Sequence, residues 1–169
     1  MHLKTLSPDA KLFAEATGGV SVHLVFVDDD REICEQISEW AASITDAEGR
    51  PSIHPITLIQ KKKSAIERIR RAISDSTVPD VILLLDLCLD GDKQFGFEAL
   101  RAVREAEHEV RDIPVVIYSS SDADDDISES YALKANSFVW KGFGSEQQQR
   151  FLELMQYWLN IASVKPVGG

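Results

Sequence analysis

Asp86 closes an almost wholly apolar run, Val81-Ile82-Leu83-Leu84-Leu85. Such a run reads as a strand buried on both faces, as in a parallel sheet. A carboxylate at its C-terminal end stands where open α/β sheets place their ligand sites. Three more apolar segments end on a reactive group. Val25-Phe26-Val27 leads into Asp28-Asp29-Asp30, Val115-Val116-Ile117-Tyr118 into Ser119, and Phe138-Val139-Trp140 into Lys141. Carboxylates, a hydroxyl and a lysine at four strand ends suit a site for a divalent metal and a phosphoryl group.

Without a cation the acids are costly to assemble. Two carboxylates ~4 Å apart repel by roughly 4 kcal/mol at an effective dielectric of ~20, so a proton is retained or a cation binds. Mg²⁺ is hard, prefers oxygen and keeps several waters. Asp29 and Asp86 are the expected ligating carboxylates, with Asp28 acting largely through water and the backbone carbonyl near Cys88 completing the protein's share. An aspartate that faces a metal and accepts a phosphoryl group becomes an acyl phosphate, and the protein's task is then positioning and charge neutralisation. Lys141 is expected to pair with Asp86 before transfer and with phosphoryl oxygens afterwards, and Ser119 to donate its hydroxyl to the new group.

The elements that must hold these groups alternate. Strands are predicted over Val20–Val27, Ile53–Ile59, Val81–Leu85, Ile113–Tyr118 and Ser137–Trp140. Helices are predicted over Arg31–Thr45, Ser64–Ser74, Gly96–Glu107, Asp124–Leu133 and Ser145–Ala162. Asp30 is the expected N-cap of the first helix, and four acids, Asp122 and Asp124 to Asp126, suit the positive end of a later one. Pro55 removes a backbone donor and marks the second strand as an edge strand or the place as a strand start. The implied fold is a doubly wound α/β domain with a five-stranded parallel sheet. The strand order 2-1-3-4-5 puts Pro55 at an edge and brings Asp28, Asp29 and Asp86 together. Residues 1–19 read as an N-terminal extension, 20–163 as the domain, and 164–169 as a tail.

Bulk properties narrow the function. The chain has 169 residues, 44% hydrophobic and 27% charged, with a net charge of −10. That balance argues against nonspecific nucleic-acid binding, which depends on basic residues. The longest apolar runs are strand-length, so no membrane span is expected. Two cysteines, Cys34 and Cys88, suit a reducing cytoplasm. One basic stretch, Lys61-Lys62-Lys63 with Arg68, Arg70 and Arg71, reads as a solvated helix face and its lead-in, with a docking patch for an acidic partner surface as the sharper alternative.

Taken together, Leu24–Asp30, Val81–Leu87, Ile113–Ser120 and Ala135–Lys141 resemble the receiver domain of two-component response regulators, a flavodoxin-like, CheY-like fold. The resemblance implies an acidic pair at Asp28 and Asp29, a phosphoacceptor at Asp86, a switch hydroxyl at Ser119, a site lysine at Lys141 and a rotating aromatic at Phe138. It also implies residues that tune phosphoryl lifetime at Cys88 and Ser121, Mg²⁺ as cofactor, and a sensor histidine kinase as donor. Ser130–Phe138 and Tyr157-Trp158-Leu159 are similar to the small regulators paired with phytochrome histidine kinases, stand-alone receivers that often dimerise through the last helix region. On this reading a surplus of apolar surface on that helix, with Tyr157 and Trp158, meets a second copy or a partner, and output is a surface that a partner reads.

Departures from the family pattern are Gly142 and Asp90, where prolines are usual, an expanded Gly91–Phe95 loop, and the N-terminal 19 residues. Two other readings stay open. A pseudo-receiver would bind partners without taking phosphate. A Mg²⁺-dependent aspartyl-phosphate phosphatase is disfavoured, because it wants an aspartate where Cys88 stands.

Overall fold

The computed structural model describes residues 21–46 and 48–160. Five strands, β1 (Val22–Val27), β2 (Ile53–Ile59), β3 (Asp80–Leu85), β4 (Val115–Ser119) and β5 (Ser137–Trp140), form one parallel sheet in the order β2-β1-β3-β4-β5. The helices are α1 (Arg31–Ala42), α2 (Ala65–Ser74), α3 (Phe95–Arg104), α4 (His108–Arg111), α5 (Asp124–Ala132) and α6 (Ser145–Asn160). This is the doubly wound fold and strand order read from the sequence.

The central strands are buried along their length, and their alternating side chains feed two separate cores. Val25, Val27, Leu83, Leu85, Val115 and Ile117 pack with α2, α3 and α4 on one face. Leu24, Phe26, Ile82, Leu84, Val116 and Tyr118 pack with α1 and α6 on the other. β2 is an edge strand, where Pro55 is tolerated. Val22 pairs with Ile53 but Leu24 with Ile56, so the register slips by one residue around His54 and Pro55. No described helix is long and apolar enough to cross a membrane.

Local chemistry moves several predicted boundaries. α1 starts where expected, since Asp30 accepts the Glu32 N–H at 2.8 Å and the Ile33 N–H at 3.3 Å. It stops at Ala42 rather than Thr45. Thr45 bridges Pro51 instead, around Asp46, whose carboxylate accepts the N–H groups of Glu48 and Arg50 and pairs with the Arg50 guanidinium at 2.7 Å. α3 ends at Arg104, not Glu107, and the short α4 follows. There the Arg104 guanidinium donates to the carbonyls of Arg111, Ile113 and Lys134 and to Asn136 Oδ1. That network fixes a turn that propensity does not reveal. β4 starts after Pro114, which cannot donate, and runs one residue further to include Ser119.

On α6 the buried residues are Phe151, Leu154, Met155 and Trp158. The expectation that Trp158 belongs to a surplus surface is corrected, because the residue is only 8% exposed and lies in the core with residues of α1. Tyr157 remains 45% exposed. The predicted extension, tail and Ala162 lie outside the described residues.

Candidate functional site

Register places the acids. β1 and β3 pair with Val27 opposite Leu85, so the next residues, Asp28 and Asp86, emerge side by side from the sheet. The Asp86 N–H donates to the Val27 carbonyl at 2.9 Å, and the Asp28 N–H to the Ile59 carbonyl at 3.1 Å. On the other side, Ser119 pairs with Trp140, and the Lys141 N–H donates to the Ser119 carbonyl at 2.8 Å. Lys141 thereby enters the site from the far end of the sheet.

Its ammonium donates to Asp28 Oδ2 at 2.5 Å and to Asp86 Oδ2 at 2.9 Å. All three groups are at most 7% exposed. Burial pushes the Asp28 carboxyl up to about 6, only partly opposed by Lys141. Burial works against the Lys141 charge as well, but the Asp86 and Asp28 carboxylates outweigh it and raise its pKa. The Tyr118 ring lies 5.9 Å from the same ammonium. Its hydroxyl, shifted upward by burial, donates to the Gln147 carbonyl at 3.3 Å.

Asp28, Asp29 and Asp86 each bring a carboxylate oxygen within 4.8 Å of the others. Such an all-oxygen, carboxylate-rich set fits a hard divalent cation. The three acids are held differently. Asp28 has both oxygens engaged, since Oδ1 accepts the Asp30 N–H at 3.0 Å. Asp29 is exposed, and its Oδ2 accepts the Asp90 N–H at 3.1 Å. Asp86 Oδ1 accepts the Cys88 N–H at 3.5 Å, its one hydrogen bond among the described residues. Cys88 is half-buried beside it, and its thiol is pushed up mainly by burial.

The hydroxyl side of the site is a chain of hydrogen bonds. Ser119 is buried, and its Oγ accepts the Ser121 N–H at 3.2 Å. Ser121 Oγ in turn donates to Asp126 Oδ2 at 2.5 Å and accepts the Ala123 N–H at 3.3 Å. Phe138 is half-buried on β5, and its N–H donates to the Tyr131 hydroxyl at 3.2 Å.

Several contributors were not singled out from the sequence. The indole of Trp140 donates to the Ser120 carbonyl at 3.2 Å, stacks edge-on against Phe143, and carries the Arg150 guanidinium 4.9 Å from its centroid. Gly96 lies so close to the acceptor loop that a Cβ there would meet Leu87 Cα at 2.4 Å and the Asp86 carbonyl oxygen at 2.7 Å. An otherwise unexplained glycine at a helix start is the only trace of this in the sequence. Gly142 has φ +74°, a conformation closed to proline. The departure at that position is thus built into the loop, and Lys141 still reaches both acids.

The basic stretch is largely committed within the chain. Lys62 pairs with Asp92, Arg71 with Glu67, and Arg68 and Arg70 donate to the carbonyls of Leu58 and Ala102.

No family model matches the chain. A probable methanogenesis regulatory protein, FilR2 of Methanothrix harundinacea (strain 6Ac), is 31% identical over 105 residues, 62% of this chain and 66% of that protein, a little under two thirds of its length. Among solved structures, the phosphorylated cyanobacterial phytochrome response regulator RcpA matches with a TM-score of 0.69 at 24% identity, over 86% of this chain and 99% of that one. The Mn²⁺-bound form of response regulator Rcp1 matches with a TM-score of 0.68 at 21% identity, over 84% and 97%. With its 2-1-3-4-5 parallel sheet and this array of matches, the chain has the receiver-domain fold of response regulators.

Proposed function

We propose that the chain is a phosphoacceptor signalling protein that takes a phosphoryl group from a histidine kinase onto Asp86, with Mg²⁺ as cofactor. The observation that carries this reading is the buried Lys141 ammonium bridging Asp28 and Asp86 beside three converging carboxylates.

In the transfer an Asp86 carboxylate oxygen attacks phosphorus of a phosphohistidine. The new O–P bond forms as the P–N bond breaks, and the electron pair leaves on the imidazole nitrogen, which then takes up a proton. Asp29 and Asp86 would hold the metal with the Cys88 carbonyl, and Asp28 would act through water. When bound, the cation supplies neutralisation of the phosphoryl oxygens. Lys141 then exchanges its Asp86 contact for a phosphoryl oxygen. The Ser119 Oγ is an acceptor in the present geometry, so its hydrogen is left to donate to the same group. Movement of Ser119 pulls on Ser121 and the start of α5, and the half-buried Phe138 follows. Cys88 and Ser121, flanking the acceptor and the switch hydroxyl, would set how long the phosphoryl group lasts. The signal would leave by contacts on the protein surface.

RcpA is described as a phytochrome response regulator and Rcp1 in a Mn²⁺-bound form. Those descriptions support a phytochrome-type kinase as donor and a divalent metal at the acids, and they motivate a test for a homodimer through the α6 region. Incubation with Mg²⁺ and acetyl phosphate, read by intact mass, tests the central step. A phosphoryl adduct on the wild type that is absent from Asp86→Asn supports it. No adduct on either protein, with Mg²⁺ binding measured alongside, would leave a module that binds partners constitutively.

A further inference from the structure

The loop after β3 contains a small clamp that the chemistry above does not use. Leu89 and Asp92 exchange backbone hydrogen bonds at 3.2 and 3.0 Å. Between them, Asp90 and Gly91 take φ values of +52° and +77°. Two successive left-handed residues of the Asp-Gly type mark a two-residue type I′ hairpin. The expanded loop is therefore an ordered turn rather than slack chain.

Its tip is fastened on both sides. The Asp90 N–H donates to Asp29 Oδ2 at 3.1 Å. Asp90 Oδ2 accepts the backbone N–H of Lys62 at 2.8 Å, and Asp90 Oδ1 lies 3.9 Å from Lys61 Nζ. The Lys62 ammonium pairs with and donates to Asp92 Oδ2, while Asp92 Oδ1 accepts the Gln94 N–H at 2.9 Å. Lys62 thus grips both sides of the turn, one through its backbone and one through its side chain.

We infer that Lys62 is a positioning residue for the cation: by clamping Asp92 it holds the Asp90–Gly91 turn where the Asp90 N–H fixes the Asp29 carboxylate. The inference rests on the proposed function in one respect, that Asp29 ligates a divalent metal. Hydrogen-bond partners of metal ligands commonly matter about 10- to 100-fold in affinity, because they set ligand orientation.

The sign of the effect separates this role from simple charge. A lysine beside Asp90 and Asp92 repels a cation, so removing its charge should tighten Mg²⁺ binding through space. If Lys62 positions Asp29, removing it weakens binding instead. Lys61 supplies the control, since it also neighbours Asp90 but is 75% exposed and only 3.9 Å from it at best.

The test is a Mg²⁺ titration of metal-free protein by calorimetry, on wild type, Lys62→Met, Lys62→Arg and Lys61→Met. Thermal unfolding in EDTA checks that each is folded. The expected result is a roughly tenfold weakening for Lys62→Met. Recovery of most of it is expected in Lys62→Arg, whose guanidinium still pairs with Asp92. Lys61→Met should bind at least as tightly as wild type. A Lys62→Met protein that binds Mg²⁺ as well as Lys61→Met, or more tightly than wild type, overturns the inference while leaving the metal reading intact. A wild type that binds no Mg²⁺ overturns the metal reading, and the inference with it.

Discussion

The site has two halves built from the same chemistry in different surroundings. Asp28, Asp86 and Lys141 sit in a buried knot at the ends of β1, β3 and β5. Asp29, Asp90, Asp92 and Lys62 form a second set of acids and ammonium at the rim, where loops meet solvent. In the knot two carboxylates share one ammonium, and burial makes protonation and stability inseparable. At the rim the same pairings are screened and worth little as energy. Their contribution is geometric, through a turn whose N–H holds Asp29.

The largest effect is expected in the knot. Lys141→Met leaves two buried carboxylates without a counter-charge, and truncating one partner of a buried pair costs about 3–5 kcal/mol. Urea unfolding in EDTA should show a loss of that order, and saturating Mg²⁺ should recover part of it. An unchanged midpoint would mean the knot is as well screened as the rim.

Gly96→Ala tests the loop that joins the halves. Its Cβ overlaps Leu87 Cα and the Asp86 carbonyl, both backbone, so the acceptor loop must shift at a cost of about 2 kcal/mol. Slower labelling by acetyl phosphate should accompany the loss of stability. Full activity with normal stability would show that the loop yields freely.

Asp28 gives the knot a pH signature. Its folded pKa is raised from 3.8 to about 6, so the native state retains a proton that the unfolded chain has released. The associated stability is fully present below pH 3.8 and is lost as pH rises through about 6. The difference corresponds to at most about 3 kcal/mol. In EDTA, Asp28→Asn should abolish this decline and be more stable than wild type at pH 7, within that bound. Mg²⁺ affinity of the wild type should rise over the same interval, since cation and proton compete. Parallel stability–pH curves for the two proteins would show that Asp28 titrates alike in the folded and unfolded chain.

Asp29→Asn closes the series. Asp29 is exposed, so unfolding in EDTA should change by less than about 0.5 kcal/mol, while calorimetry should show a large loss of Mg²⁺ affinity. A substantial stability change would erase the contrast between the halves.

The knot was far more legible in the sequence than the rim. Asp28, Asp86, Ser119 and Lys141 each end an apolar strand, and parallel pairing in the 2-1-3-4-5 order brings such ends together without further information. The rim depends on which loops become neighbours. Lys62 and Asp92 are 30 residues apart, and nothing local links them. The Asp90-Gly91 pair does carry a turn signal, but it is masked when the position is read only as a missing proline. Trp158 shows the same limit on α6. A helical stripe marks a buried face, but how wide that face is depends on the neighbouring elements, and Trp158 shares a core with residues of α1.

The separation of Lys141 from its partners also bears on how the molecule is made. It lies 113 residues after Asp28 and 55 after Asp86. During synthesis, which exposes N-terminal segments first, both acids emerge from the ribosome well before their counter-ion. Parallel pairings of this kind also form late, because long loops must close first. Until β5 docks, the carboxylates must stay hydrated, hold a proton or borrow a cation from solution. The charge balance of the knot is thus a property of the finished sheet alone, and a partially folded chain is unable to imitate it.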